Sequence, residues 1–337
     1  MSVATVSRVL NGSGYFDGET ARKVRNAVSE LGYRRNIHWK RLVRNSSDTV
    51  CFLLGNRESM NSMQMRLLVA CERVFHNAGL DLVYSGFRYP AEARASELVL
   101  PRMLAEQGIV DGVVLAGRHS ANLLDVLDRL GVPWVLAGNN FLGKPARIRR
   151  FTVFYDESAG VHEASRYLAR LGHRRIAFVG NRALPWFHRR QQAFEGALAP
   201  GRLPVTAVTD DWQVPGIEYG RLATAALLRQ PSPPTAILAG NDEVAAGVWK
   251  ELVHRGVRIP GEISVAGFGD REEFQILEPS LTSVSVFPEK LGTALAEMLV
   301  QRIRNPQARL ESQVFPCQLV ERASCGPPAS RLAAAGR

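Results

Sequence analysis

The sequence is poor in cysteine and has no long apolar run. Its four cysteines, Cys51, Cys71, Cys317 and Cys325, include no Cys-x-x-Cys pair, so neither a zinc site nor a disulfide framework is predicted, and we expect buried free thiols. No apolar stretch approaches the about 18 residues that a membrane span needs, and no signal-peptide pattern opens the chain. These absences argue against secreted and integral membrane proteins and favour a soluble cytoplasmic protein.

The chain has an excess of positive charge that is unevenly distributed. The formal net charge is +10 over 337 residues. Residues 1–50 contain nine Lys and Arg against four Asp and Glu, so half of the excess lies in a small part of the chain. A basic N-terminal segment beside a nearly balanced body favours a module that binds a polyanion.

The first eleven residues, MSVATVSRVLN, predict a short amphipathic helix that could read DNA. Ser2 is a suitable N-cap, and an apolar stripe at helical spacing lies along one side of the helix. A second helix is predicted from the cap Asp17 to about Leu31, with Gly32 as its stop. The outward face of the first helix contains Val3, Ala4, Thr5 and Arg8.

From Thr49 onward, short apolar runs alternate with amphipathic helices. This alternation predicts an α/β fold of two doubly wound parallel-sheet lobes of about 120 residues each, preceded by the small helical head. Ligands bind at the carboxyl ends of such strands, so two facing sheets would form a cleft. The expected strands are 49–54, 80–85, 112–116, 134–138, 175–180, 235–240 and 263–268, and the expected helices are 62–78, 91–107, 120–130, 158–171, 189–198, 217–229 and 243–255.

Seven motifs, in order along the chain, resemble the lactose/galactose repressor (LacI-type) family of bacterial transcription regulators. The resemblance extends from Ser2 to about Glu321. It implies a partial helix-turn-helix head over 1–33, a hinge or linker over 34–48, a two-lobed effector-binding and dimerisation domain over 49–325, and a disordered tail over 326–337. The motifs are SVATVSRVLNGSG, ETARKVRNAVSELGYRRN, LGHRRIAFVG, RQQAFEGAL, PTAILAGNDEVAAG, IPGEISVAGFGD and PSLTSV.

The resemblance assigns DNA-reading roles to residues of the head. Val3, Ala4 and Arg8 would face bases in the major groove, where Arg8 can donate two hydrogen bonds to a guanine edge. Phosphate contacts, which position the head without reading sequence, are implied for Thr5, Ser7, Asn11 and Thr20. The alternative is an ordinary amphipathic surface helix with an exposed arginine.

The hinge matches the family only in part. Asn36 and Leu42 are retained, and Leu42 would wedge into the minor groove and bend the DNA. Trp39 stands where the family has a small alanine, so we expect it to alter or block the close packing of two hinge helices.

The helix that normally precedes a recognition helix is missing from this chain. A helix-turn-helix needs that helix to hold the reader in the groove, so we expect translation to start about 15–20 residues upstream of Met1. An in-frame stop codon immediately before Met1 would contradict this expectation. A head that lacks the helix should bind DNA weakly.

The resemblance also implies a binding site for a sugar or related polyol. Arg190 takes the position of the family's pocket arginine, and Trp212 that of an aromatic ring packed against the ligand. Asn241 and Asp270 follow predicted strands at their carboxyl ends, and Asp156 lies near a predicted crossover between the lobes.

Two departures from the family pattern affect this site. Gly269 precedes Asp270 where relatives commonly have a second aspartate, so one ligand-binding carboxylate is absent. The segment NRESMNSMQM lacks the usual Asn-Pro and paired aromatics, and we expect Met60, Met63 and Met65 to remodel the pocket wall. The effector therefore need not be the sugar that the family suggests.

The favoured function is an effector-controlled repressor that binds a double-stranded, pseudo-palindromic DNA operator as a homodimer or tetramer. No cofactor, metal or membrane contact is expected. A cytoplasmic small-molecule-binding protein with a defective head is the alternative, and operator binding by a chain extended upstream would separate the two. A Rossmann-type enzyme is disfavoured because no Gly-x-Gly-x-x-Gly follows the first strand and no catalytic triad is recognisable.

Overall fold

The chain divides between Ser47 and Asp48 into two units. The structure is a computed structural model that describes residues 2–11, 16–32, 46–143, 148, 150–201 and 203–329. Each unit is described by itself below.

The N-terminal unit contains two helices, α1 (Val3–Asn11) and α2 (Gly18–Glu30). Ser2 caps α1, because its hydroxyl oxygen accepts a hydrogen bond from the Thr5 amide at 3.1 Å. Asp17 caps α2 through the Thr20 amide at 2.7 Å. Both predicted helices and both predicted caps are confirmed. Their shared apolar core consists of Val9, Ala21 and Val24, with Val6, Phe16 and Val28 packed against them.

The second unit contains two six-stranded sheets, which confirms the predicted α/β class. The first has the order β13-β7-β5-β3-β1-β2 and is parallel throughout. The second has the order β14-β12-β11-β10-β8-β9, and only its edge strand β14 is antiparallel to its neighbour. The strands are β1 (Thr49–Gly55), β2 (Asp81–Phe87), β3 (Gly112–Gly117), β5 (Trp134–Ala137), β7 (Thr152–Tyr155), β8 (Ile176–Val179), β9 (Val205–Val208), β10 (Ala236–Ala239), β11 (Ser264–Gly269), β12 (Thr282–Ser285), β13 (Gln313–Phe315) and β14 (Gln318–Val320), with a separate small pair β4 (His119–Ser120) and β6 (Phe141–Leu142).

The central strands are buried on both faces, as their continuous apolar sequences predict. In β1, Phe52 belongs to one core cluster and its neighbour Leu53 to another. In β8, Phe178 and Val179 divide in the same way. The cluster that contains Phe52 also contains Phe178, so the two sheets share one continuous apolar core. The helices of this unit are α3 (Ser62–Ala78), α4 (Arg102–Ala105), α5 (Ala121–Leu130), α6 (Glu157–Leu171), α7 (Pro185–Leu198), α8 (Gly216–Leu228), α9 (Asp242–His254) and α10 (Pro288–Arg304).

The lobes are not two successive stretches of chain, which the sequence did not predict. The late helix α10 packs against α3 of the first lobe, where the Cys71 thiol donates a hydrogen bond to the Gly292 carbonyl at 3.2 Å. Strand β13 then joins the first sheet beside β7. The chain therefore passes between the lobes more than once, and both lobes depend on the C-terminal segment.

One predicted helix, 91–107, is wrong. Its place is taken by a 3-10 turn at Ala95–Glu97 and the single-turn helix α4. Pro101 explains the break, because proline cannot donate the intrahelical hydrogen bond and restricts the residue before it. Proline has the opposite effect in α7, which begins at Pro185, four residues before the predicted start, since the first turn of a helix accepts proline.

The state of the cysteines and the character of the helices agree with the predictions from composition. Cys51 and Cys71 are buried, Cys317 and Cys325 are half-buried, and all four are free. Within the described residues, no helix combines the length and the apolar character that crossing a membrane requires.

Candidate ligand-binding cleft

A cavity of about 1030 Å³ lies at the carboxyl ends of strands from both sheets. Many of the residues that line it come from the loops just beyond these ends, where parallel sheets place their ligands. They include Asn56 after β1, Arg118 after β3, Asn181 after β8, Asn241 after β10 and Val286 after β12. The predicted cleft between two sheets is therefore present.

Arg190, on α7, lies in the wall of this cavity and is only 4% exposed. It donates hydrogen bonds from Nε to Glu157 at 3.1 Å, from Nη1 to the Gly240 carbonyl at 2.6 Å and from Nη2 to the Tyr155 hydroxyl at 2.9 Å. Its guanidinium carbon is 3.9 Å from the centroid of the Phe268 ring. Three of its five N–H groups are thus committed to the protein, and two remain for a ligand.

Glu157 compensates the charge of Arg190 inside the protein. It is 7% exposed, lies in the first turn of α6, and also pairs with Arg189. Burial raises the pKa of the neighbouring Tyr155 to about 12, so its phenol stays protonated at neutral pH. The wall around Arg190 is therefore a built polar network with a fixed geometry.

Asn241 also lines the cavity, and it caps α9. Its Oδ1 accepts a hydrogen bond from the Val244 amide at 2.8 Å. Capping uses the carbonyl oxygen, which leaves the amide NH₂ group for a ligand.

The other three predicted cleft residues are absent from the described lining of this cavity. Trp212 packs on Tyr219, with ring centroids 5.2 Å apart, and Tyr219 is the one that lines the cavity. Asp270 accepts a hydrogen bond from Arg322 at 2.7 Å, and Asp156 caps α6 through the Ala159 amide at 2.9 Å. Of the three predicted methionines, Met63 alone belongs to the described lining. Met60 and Met63 both pack against the core, and Met65 is half exposed.

Several lining residues were not predicted from the sequence. They are charged or aromatic side chains, most of them in loops beyond strand ends and two in the first turn of α7, where no periodic pattern marks them. The signal for the loop residues was their position within two residues of a strand end, as for Arg57 and Arg118. The residues are Arg57, Arg88, Tyr89, Arg118, Trp186, Phe187 and Arg271.

His119 supports this wall from behind. Its Nε2 lies 2.8 Å from the Ala116 carbonyl, which can only accept, so Nε2 carries the proton and Nδ1 accepts from the Tyr89 hydroxyl at 3.2 Å. The ring is fully buried, and burial lowers the pKa of His119 to about 4. The histidine therefore stays neutral in the folded protein down to about pH 4, whereas a histidine in an unfolded chain becomes charged below about pH 6.5.

His119 is expected to make the protein acid-sensitive. Since the pKa of His119 is lowered on folding, the unfolded state binds more protons between about pH 4 and pH 6.5, and stability falls as the pH falls through that window. Lowering the pH from 7 to 5 should cost about 2 kcal/mol through this group. Urea unfolding of the wild type and His119→Asn measures it: the wild type should lose about 2 kcal/mol more than the variant, and equal losses would contradict the prediction.

The predicted DNA-reading residues lie on the two helices of the N-terminal unit as far as the structure describes them. Ala4 and Arg8 are exposed on α1. Two hydroxyls have partners within the head: Thr5 Oγ1 lies 2.9 Å from Ser2 Oγ, and Thr20 Oγ1 donates to Asp17 at 2.7 Å. The predictions for the side chains of Val3, Ser7 and Asn11, and for Asn36, Trp39 and Leu42, fall outside the described part of the chain.

Two family models match the chain, one in the N-terminal unit and one in the body. Residues 1–36 match the family described as bacterial regulatory proteins, lacI family, and residues 165–325 match the periplasmic binding protein-like domain. Over 96% of its length the chain is 32% identical to an uncharacterised HTH-type transcriptional regulator of Streptomyces limosus, 91% of which is covered. It is 26% identical to the ribose operon repressor of Haemophilus influenzae, with 96% of this chain and 95% of the relative covered.

Solved structures share the fold over nearly the whole chain. The lac repressor dimer bound to operator and the anti-inducer ONPF superposes with a TM-score of 0.80 at 23% identity, covering 97% of this chain and 96% of that one. The transcriptional regulator CelR in complex with cellobiose superposes with a TM-score of 0.70 at 27% identity, covering 96% of each chain.

Proposed function

Because the chain belongs to the LacI family of bacterial regulatory proteins, we propose that it is a DNA-binding transcriptional repressor whose operator affinity is controlled by a small molecule. The proposal rests on the combination of a DNA-binding head with a ligand-sized cavity. The first 36 residues match the family's DNA-binding head, and the body contains a cavity of about 1030 Å³ at the facing ends of two sheets. A head that binds DNA and a cleft that binds a ligand are the two sites that allosteric control requires.

The head is proposed to read DNA through α1. Arg8 is exposed on this helix, and Ala4 is exposed one turn before it, beside the predicted reader Val3. The basic residues of the following segment supply attraction to phosphates. This division, bases read by one helix and phosphates held by surrounding side chains, gives sequence specificity together with affinity.

The cavity is proposed to bind a small hydroxylated molecule, a sugar or related polyol. Arg190 and Asn241 offer donors that match hydroxyl oxygens, and the aromatic side chains of Phe268 and Trp186 contribute to the apolar part of the wall. Among the relatives, one is named for the ribose operon and one is solved with cellobiose. The ligand can control the operator only by binding the two conformations of the protein unequally.

The repressor is proposed to act in the cytoplasm as a homodimer without enzymatic activity. The lac repressor that shares its fold is a dimer. Met65 and Val69 are half exposed one turn apart on α3, an apolar surface that a second copy would cover. A twofold dimer would bind a pseudo-palindromic operator, because each half-site meets an identical head.

Arg8→Ala is expected to weaken binding to the operator by about 1–3 kcal/mol, or roughly 5- to 150-fold, since a bidentate arginine–guanine contact is lost. The operator would first be selected from a random pool of double-stranded DNA by the full chain. Gel-shift titrations then compare the wild type, Arg8→Ala and the control Arg102→Ala, an exposed arginine of the body. Failure to enrich any sequence would refute DNA binding by this chain and leave a small-molecule-binding protein as its function. Equal binding by Arg8→Ala would refute the role of this residue.

A further inference from the structure

Positive charge dominates the cleft. Its described lining contains five arginines and two glutamates, and no aspartate or lysine. Gly269, which has no side chain to offer a carboxylate, also lies in this lining. A site built only for a neutral polyol does not need this excess of guanidinium groups. The arginines are Arg57, Arg88, Arg118, Arg190 and Arg271.

Two of these arginines are compensated by carboxylates of the protein. Arg190 pairs with Glu157 at 3.1 Å. Arg271 pairs with Glu273, and its Nη1 lies 3.4 Å from Glu243. Their charges therefore already have partners within the protein.

Within the described residues, neither Arg57 nor Arg118 forms an ion pair like these, and Glu243 is the carboxylate that attracts the two guanidinium groups at longer range. The Nε atom of each is buried and has no hydrogen-bond partner. The guanidinium carbon of Arg118 lies 5.1 Å from the centroid of the Trp186 ring, over its face. A buried N–H without an acceptor costs free energy, so these groups are expected to meet an acceptor in the functional state.

The fold brings these two arginines to one place. Strands β1 and β3 are neighbours in the first sheet, with Gly55 paired to Gly117, and the Arg118 amide donates to the Gly55 carbonyl at 2.8 Å. Arg57 lies two residues beyond Gly55, and Arg118 one residue beyond Gly117. Arg57 and Arg118 therefore follow adjacent strand ends at the same edge of the cleft.

The electrostatics agree with this placement. Burial, followed by repulsion from Arg118 and Arg271, lowers the pKa of Arg57 to about 10, and the opposing attraction of Glu243 is the smaller effect. Burial also lowers the pKa of Arg118. Two like charges held together in a partly dry site repel each other, and an anion between them would relieve that repulsion.

We propose that the effector is an anion, a small hydroxylated molecule that carries a phosphate or carboxylate group bound by Arg57 and Arg118. The planar guanidinium group matches both anions with two parallel hydrogen bonds, and Arg is preferred for this task over Lys. The inference rests on the proposed function only in naming the ligand an effector. Binding of the anion itself is measured without DNA.

Thermal unfolding of the full chain in phosphate, acetate and chloride at equal ionic strength tests the site. Phosphate or acetate should raise Tm above the chloride value in a concentration-dependent way, because a ligand that binds only the folded state stabilises it. Phosphate alone, acetate alone or both acting identifies the anion class. No increase over chloride with either anion would overturn the proposal.

Arg57→Met and Arg118→Met test the assigned residues. Each should weaken binding of the effective anion at least about tenfold in calorimetric titration, while Arg102→Met, at an exposed arginine outside the cleft, should not change it. Without anion, Arg57→Met should unfold at a higher temperature than the wild type, since it removes a partly buried charge that has no ion-pair partner and a buried Nε–H group without an acceptor. A lower Tm together with unchanged anion binding would show that Arg57 is a structural residue.

A panel of hexoses, hexose 6-phosphates and hexonates then connects the anion to the effector. The charged members should bind more tightly than the neutral hexose of the same stereochemistry, and Arg57→Met should abolish that preference. Tighter binding of the neutral hexoses would overturn the proposal. If the protein binds its operator but no anion, only this inference fails. If it binds the anion but no DNA, the proposed repressor function fails and the anion site remains.

Discussion

Arg190→Met is expected to destabilise the protein by about 3 kcal/mol, because it breaks a buried ion pair by removing one partner. Glu157 would stay in the interior with Arg189 as its remaining ion-pair partner. The Gly240 carbonyl and the Tyr155 hydroxyl would each lose a donor, and Phe268 would lose the guanidinium that covers its ring. Urea unfolding at pH 7 measures this loss of stability. We also expect Arg190→Met to weaken the binding of any ligand in the cleft.

Arg189→Met is the matched control for this prediction. Arg189 is adjacent in sequence and pairs with the same carboxylate, but its side chain is 39% exposed against 5% for Arg190. Ion pairs of exposed groups contribute about 1 kcal/mol or less, so the control should lose far less stability than Arg190→Met. Equal losses for the two variants would show that burial does not decide the importance of Arg190.

Gly247→Ala is expected to cost about 3 kcal/mol or more, because it separates two helices that pack backbone to backbone. A Cβ atom at Gly247 of α9 would come within 3.0 Å of the Ile217 carbonyl oxygen on α8. Gly220 of α8 meets the Val244 carbonyl of α9 in the same way. No side-chain rotation relieves a clash with a carbonyl oxygen, so the helices themselves must move. Chemical denaturation of the variant measures the loss.

Gly196→Ala provides the opposite expectation within the same unit. Gly196 lies in α7, where a Cβ atom would meet only His162 Nε2, at 3.6 Å. Alanine is a better helix former than glycine, so this variant should be more stable than the wild type by up to about 1 kcal/mol. Equal destabilisation by the two substitutions would contradict close helix packing as the reason for Gly247.

The fold was predictable where local pattern decides it. Period, apolar runs and capping predicted α1, α2 and seven of the strands, because a helix or strand records its buried face in its own sequence. Short strands with polar residues, such as β12 (Thr282–Ser285), have no clear period and were missed, as was α10. The addition of α10 and β13 to the first lobe could not be predicted from the sequence either, because it depends on contacts between segments that are distant along the chain.

The cleft residues were predictable for the same reason and to the same extent, that is, only where a local motif marks them. The sequence by itself determined the family, the class of fold and three lining residues, Met63, Arg190 and Asn241, because each lies in a local motif. Only the tertiary structure decided that Asp270 pairs with Arg322. It alone brought Arg57 and Arg118 together beyond neighbouring strands. Charge compensation in a cavity depends on which side chains meet across the fold, and those meetings are fixed by strand order and register.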